Sequence, residues 1–209
     1  VVDVSVNDGL TVTYTGLNSL ALQGKNGDDD FDLDLNALSL AGGITIRGGD
    51  PSASGDVLTV TGRSGADVVA WTPTSGEDGV LTVGGQTINV QTIEQLVYDG
   101  ENGMDTLTVN LPTASNNDVA TVAFGSVGAG RIEVAAAGVE SWLAFDFQNI
   151  RLNPAATSQI MINDMGGATD TGDKLHLLGS QSADQFDVNN AGVVTFTAGL
   201  QQHLRVGTS

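Results

Sequence analysis

Gly100-Glu101-Asn102-Gly103-Met104-Asp105-Thr106-Leu107 decides how this chain folds. It stands between Leu96-Val97-Tyr98 and the alternating pair Leu107 and Val109. Alternation with period two, bounded by Gly and Asn, marks half-buried strands, so the octapeptide is a turn between them. Two segments share its pattern, Gly24-Lys25-Asn26-Gly27-Asp28-Asp29-Asp30-Phe31 and Gly62-Arg63-Ser64-Gly65-Ala66-Asp67-Val68-Val69. Their aligned acids, Asp29, Asp67 and Asp105, follow one another at steps of 38 residues. A weaker copy is Gly179-Ser180-Gln181-Ser182-Ala183-Asp184-Gln185-Phe186. Self-similarity at a fixed period is the sequence signature of a repeat architecture.

A longer duplication accompanies the turns. Ser54-Gly55-Asp56-Val57-Leu58-Thr59-Val60-Thr61-Gly62 is matched by Thr171-Gly172-Asp173-Lys174-Leu175-His176-Leu177-Leu178-Gly179, a shift of 117 residues. A turn acid follows 11 residues later in both, Asp67 after Asp56 and Asp184 after Asp173. A short link also recurs, as Gly16-Leu17-Asn18-Ser19, Thr92-Ile93-Glu94-Gln95, Gly138-Val139-Glu140-Ser141 and Gly199-Leu200-Gln201-Gln202. The expected organisation is a regular array over 1–114, a diverged repeat or insertion over 115–160, and further repeats over 161–209. A Gly-x-Ser-Gly-Ala-Asp turn is expected to follow Leu204-Arg205-Val206-Gly207, which reads the chain as part of a longer array.

The fold expected is all-β. Strand starts recur every 8–13 residues and no segment sustains a helical period. Two layouts compete, a parallel β-solenoid of 38-residue repeats and a β-sandwich of hairpins. Constant spacing of the turn acids favours the solenoid, in which one period holds about four short strands.

Composition narrows the function. There are 25 Asp plus Glu against 7 Lys plus Arg, a formal charge of −18, and twenty of the acids are Asp. Asp favours turns and caps where Glu favours helices. So negative a chain is a poor partner for nucleic acid or an anionic membrane surface. No apolar run approaches the roughly 18 residues of a membrane span. With no Cys there are no disulfides, thiolate metal sites or Cys nucleophiles. The chain opens on Val1 with no signal peptide, so an export signal is expected to have been removed or to lie outside it.

The Gly-x-Asn-Gly-x-Asp-x-Leu turns resemble the calcium-binding nonapeptide repeats of RTX proteins, with Lys25 and Glu101 standing where those repeats have a second Gly. The larger unit is similar to the repeats of giant secreted and surface proteins of Planctomycetes and related bacteria. That resemblance covers most of the chain outside roughly 115–160, and it implies a secreted or cell-surface location. The RTX resemblance makes Ca²⁺ the candidate cofactor, with Asn26, Asp28, Asp29, Asp30, Asp56, Asp67, Asn102, Asp105, Asp173 and Asp184 as candidate ligands. Ca²⁺ asks for six to eight oxygens, which carboxylates and turn carbonyls supply. In RTX proteins tandem turns complete each site, whereas here the turns mostly stand singly. The other reading of each Asp is therefore a turn cap, its carboxylate accepting backbone N–H groups. The run Asp28-Asp29-Asp30-Phe31-Asp32-Leu33-Asp34 holds five carboxylates that repel unless ions or solvent screen them.

Nothing in the sequence assembles an active site. His176 and His203 are the only histidines, and His176, between Leu175 and Leu177, is expected on a strand's outer face. There is no His-Glu-x-x-His pattern, and no His near a Gly-x-Ser-x-Gly. The chain reads as a non-enzymatic, extracellular structural or adhesive segment whose partners are neighbouring repeats or copies of itself. A carbohydrate-binding or polysaccharide-cleaving module, engaging cell-surface glycans through a groove lined by Trp and carboxylates, is the alternative. A surface-layer or fibre subunit is a third. Trp71, Tyr98 and Trp142 would supply the stacking platform, and clustering of Arg47, Arg63, Arg131, Arg151 and Arg205 on one face would favour an acidic sugar.

Overall fold

The computed structural model describes residues 2–6, 10–50, 54–111, 118–136, 141–151, 153, 155–156, 158–163, 173–181, 183–190, 193–198 and 201–208. Among them there is no helix, and so none long and apolar enough to cross a membrane. Gly138-Val139-Glu140, Gly199-Leu200 and Thr171-Gly172 lie outside the described residues.

An antiparallel hairpin, β1 (Val2–Val6) and β2 (Leu10–Tyr14), comes first. The chain then passes back and forth between two sheets. β3 (Leu20–Asn26) enters the first sheet and β4 (Asp30–Asp34) the second. β5 (Ile44–Asp50) returns beside β3, and β6 (Val57–Thr61) beside β4, both in parallel. Next come β7 (Val68–Pro73), β8 (Gly79–Val83) and β9 (Gln86–Gln91), an antiparallel meander within the first sheet. β7 lands with room for two strands between itself and β5. β8 and β9 fill it, and β9 pairs with β5 in parallel.

The scheme then repeats. β10 (Gln95–Asp99) lies parallel beside β6, and β11 (Thr106–Asn110) beside β7. β12 (Asp118–Phe124), β13 (Gly130–Ala136) and β14 (Phe145–Gln148) form a second meander, now in the second sheet, and β14 folds back onto β10. β15 (Ile160–Asn163) extends the first sheet from β11, and β16 (Lys174–Leu178) the second from β12. β17 (Asp184–Val188), β18 (Val194–Ala198) and β19 (Gln201–Thr208) make a third meander in the first sheet, where β19 pairs with β15. The result is a ten-stranded and a seven-stranded mixed sheet, neither closed into a barrel.

Alternation in the sequence gives each strand one inward face. Leu58, Val60, Leu96 and Tyr98 of the second sheet and Ile44, Ile46, Ile88 and Val90 of the first are all buried in one common core. Residues 118–148, in the segment expected to be a diverged repeat or insertion, add Ala120, Val122, Ile132, Phe145 and Phe147 to it. Trp71 of the first sheet stacks on Phe145 of the second at 6.3 Å between ring centres, and Tyr98 stacks on Phe145 at 6.5 Å. Each such side chain contributes about 1.5–3 kcal/mol by leaving water. Trp71 and Tyr98 are thus core residues.

Candidate functional site

Every crossing between the sheets passes a corner, and the acids stand at the corners. Asp29, Asp56 and Glu94 each precede a strand of the second sheet. They form a ladder: Asp29 N–H donates to Asp56 Oδ1 at 2.7 Å, and Asp56 N–H to Glu94 Oε2 at 2.5 Å. On the opposite side Asp67 and Asp105 precede strands of the first sheet, and Asp67 N–H donates to Asp105 Oδ1 at 2.7 Å. A third segment joins Asp118 N–H to Asp173 Oδ1 at 2.8 Å. The step of 38 therefore has structural meaning from Asp56 to Glu94 and from Asp67 to Asp105. From Asp29 to Asp67 it has none, because these two stand at opposite corners.

Of the sequence candidates, Asp29 and Asp56 are brought together, as are Asp67 and Asp105. Asp28 accepts Ser54 N–H at 3.1 Å, and Asp30 opens β4 on its exposed face. Asn26 and Asn102 are exposed, and Asp184 accepts the Ser180 hydroxyl at 2.8 Å. Glu94 and Asp118 are ladder members that the turn pattern misses. The link Thr92-Ile93-Glu94-Gln95 carried the signal for Glu94, whereas Asp118 follows an Asn pair that resembles no other turn.

The glycine that opens each turn makes room for the acid. A Cβ on Gly24, Gly100 or Gly179 would overlap the carboxylate of Asp29, Asp105 or Asp184, and one on Gly62 would lie 3.0 Å from Asp67 Oδ2. The left-handed backbone of these turns falls elsewhere. It is taken by Lys25 (φ 96°), Gly27 (φ 121°), Glu101 (φ 50°) and Asn102 (φ 61°). Lys25 and Glu101 occupy the place of the second Gly in the RTX pattern, so that consensus Gly answers a real backbone requirement.

The two corners differ in electrostatics. Asp67 Oδ2 accepts Arg63 N–H at 2.6 Å, and its Oδ1 faces the Arg63 guanidinium at 3.1 Å. Asp105 is buried, with Oδ2 accepting the Tyr98 hydroxyl at 2.9 Å. Burial pushes the Asp105 carboxyl up to about 6, against the downward pull of the Asp67 N–H and Tyr98 O–H bonds. Tyr98 is raised as well, by its own burial and then by the Asp105 charge. All four oxygens of this pair have donors. In the other row Asp29 Oδ2, Asp56 Oδ2 and Glu94 Oε1 are buried without a hydrogen-bond partner. Asp56 Oδ2 and the Thr92 carbonyl oxygen both occupy the space where a Cβ of Gly48 would sit. Spare oxygens are what a hard cation asks for. The row fits Ca²⁺ in donor chemistry, and the Asp67–Asp105 pair does not. Among the described residues no three His, Cys, Asp or Glu side chains come close enough to form a metal-holding group.

A cleft of about 260 Å³ opens beside Glu94, Arg131, Glu133 and Trp142. Arg131 pairs with Glu133 at 2.8 Å and with Asp146 at 3.0 Å. Arg47 instead bonds Gln91, and Arg63 bonds Asp67, so these three arginines each serve a different acid or amide. His176 is exposed on β16. Comparison with family models, curated proteins and solved structures returns no match.

Proposed function

We propose that the chain is an extracellular structural or adhesive repeat segment, a β-solenoid that serves as a rigid acidic scaffold. One observation carries this reading. Strands from successive passages of the chain lie side by side in parallel register, Val57 against Gln95 and Val68 against Thr106, over one continuous core. A sandwich of simple hairpins would place sequence neighbours side by side throughout, which only the first hairpin and the meanders do here. Stacked layers of this kind are stiff because each contacts the next along its whole length. Exposed acids on the outer faces keep such a rod soluble.

Location is tested by antibody labelling of cells that make the protein. Labelling of intact cells is expected, and labelling only after lysis would refute an extracellular role. Calcium belongs to the same reading, held between neighbouring acids of the Asp29–Asp56–Glu94 row and backbone carbonyls rather than by all three acids at once. Binding there would stabilise the folded chain directly, so EDTA is expected to lower Tm and millimolar calcium to restore it. An unchanged Tm would remove the metal and leave the scaffold.

The cleft favours a second reading, a carbohydrate-binding module, because Trp142, Arg131 and two carboxylates surround it. Glycan-array binding that is lost in Trp142→Ala would support it, and silence on the array would remove it.

A further inference from the structure

Among the described residues both sheets end in edge strands with a neighbour on one side only, β3 and β4 at one end, β16 and β17 at the other. We propose that these ends bind each other, so that copies of this chain stack head to tail, with β16 beside β4 and β17 beside β3 of the next copy.

Strand direction permits it. In the second sheet β4, β6, β10, β14, β12 and β16 all run the same way, with β13 alone opposed. In the first sheet β3 and β17 likewise share a direction, because each meander reverses the chain twice. A copy shifted along the stack therefore continues both sheets in parallel at once.

Apolar surface calls for a cover. In the 117-residue duplication Phe186 and Val188 correspond to Val69 and Trp71. The latter are 0% and 1% exposed, whereas Phe186 is 39% and Val188 68% exposed. Leu175 and Leu177 are only partly buried, where their counterparts Leu58 and Val60 are fully buried. At the opposite end Leu20, Leu22 and Phe31 are also only partly buried.

Charge selects the occupant. The outward residues of β4 are Asp30, Asp32 and Asp34, and those of β16 include Lys174 and His176. Asp30, Val57 and Gln95 are level across the second sheet, and Lys174 holds Val57's place in the duplication. The next copy's Asp30 thus comes beside Lys174 and its Asp32 beside His176. The chain has only two lysines, and both stand on edge strands. A second copy meets strand direction, apolar surface and charge together.

This deepens the scaffold reading and rests on it for its purpose. The test uses purified chain, so its outcome is separate from cell labelling. Sedimentation velocity at about 0.15 M salt, where screening reaches about 8 Å, is expected to show elongated species that grow with concentration. Lys174→Glu with His176→Glu, or Asp30→Lys with Asp32→Lys, should each weaken association about tenfold or more, since opposed cross-strand charges become like ones. An equimolar mixture of the two variants should restore it. Circular dichroism confirms that each variant is folded, and Lys174→Gln with His176→Gln replaces the first pair if it is not. A chain that stays monomeric at every concentration would overturn the proposal. So would association indifferent to both reversals, or a mixture that fails to recover.

Discussion

Asp105→Asn isolates the electrostatics of the buried corner. Asp105 is fully buried and its carboxyl is held up to about 6, against an ordinary value of 3.8. Between those values the folded chain holds a proton that the unfolded chain has released. The folded state then binds more protons, so this group's contribution falls as pH rises through the window and is fully lost above it. A gap of about two pH units corresponds to about 3 kcal/mol. Asparagine keeps the shape and the oxygen that accepts Asp67 N–H, and removes the ionisation. Near pH 4 the variant should match the native chain within about 1 kcal/mol. Above pH 7 it should be more stable by about 2–3 kcal/mol. At about 2–4 °C per kcal/mol for a chain of this size, the Tm gap opens by about 4–12 °C. Calorimetric melts from pH 4 to 7.5 in EDTA measure it. A gap independent of pH would refute the reasoning. A variant that loses ground as pH rises would mean that Asp105 works as an anion, and the same melts in calcium would show whether a cation is its partner.

Tyr98→Phe leaves Asp105 Oδ2 without its hydroxyl donor, and urea unfolding at pH 7 should show a loss of about 1–3 kcal/mol. Gly100→Ala drives a Cβ into that carboxylate and should cost about 1–3 kcal/mol. Gly65→Ala, which meets open space in the stacked turn, should be neutral or slightly stabilising in the same denaturation series. Lys25→Gly relieves a backbone at φ 96° and should stabilise by about 1 kcal/mol. Glu101→Gly, at φ 50°, should give less, and equal effects would refute the strain argument. Asp56→Asn should abolish any calcium-dependent rise in Tm while Asp105→Asn preserves it, because spare oxygens occur only in the Asp56 row among the described acid ladders.

The strands were legible because period two was strong. Leu58 and Val60, Leu107 and Val109, Val194 and Phe196 all lie inward as their alternation required. The 117-residue duplication also has a structural counterpart, since β6 to β9 and β16 to β19 follow the same path. What local pattern could not reveal was the leap of β7, β12 and β17 past two vacant places. That choice depends on which strand later fills the gap, and no residue near the turn encodes it. For the same reason Asp29 aligned with Asp67 in sequence but stacks on Asp56. The segment 115–160 reads as divergent because its meander sits in the second sheet, where neither the hairpin turn at Ser126 to Gly128 nor the approach to Phe145 uses the Gly-and-Asp turn. Glycine serves these turns in two ways, since the residue that permits φ > 0, as at Gly27, also leaves the space of a missing Cβ, as at Gly24 and Gly100.

The ladders have a direction, and it bears on both proposals. In every rung the N–H of one corner donates to the acid of the strand next along the stack from β4 towards β16: Asp29 to Asp56, Asp56 to Glu94, Asp118 to Asp173. In these rungs a corner is closed by an acid that belongs to the next strand along the sheet. A head-to-tail neighbour would bring its Asp29 to the corner at Asp173 and extend the same rung. One device thus explains why acids recur at corners and why Gly24, Gly48, Gly62 and Gly100 stand where carboxylates must fit. The −18 charge accordingly has two parts, an outer one that repels and a corner one that links layers. Only the second is spaced by the fold, and a cation on the Asp29–Asp56–Glu94 row would reinforce that part while leaving the outer charge to set solubility.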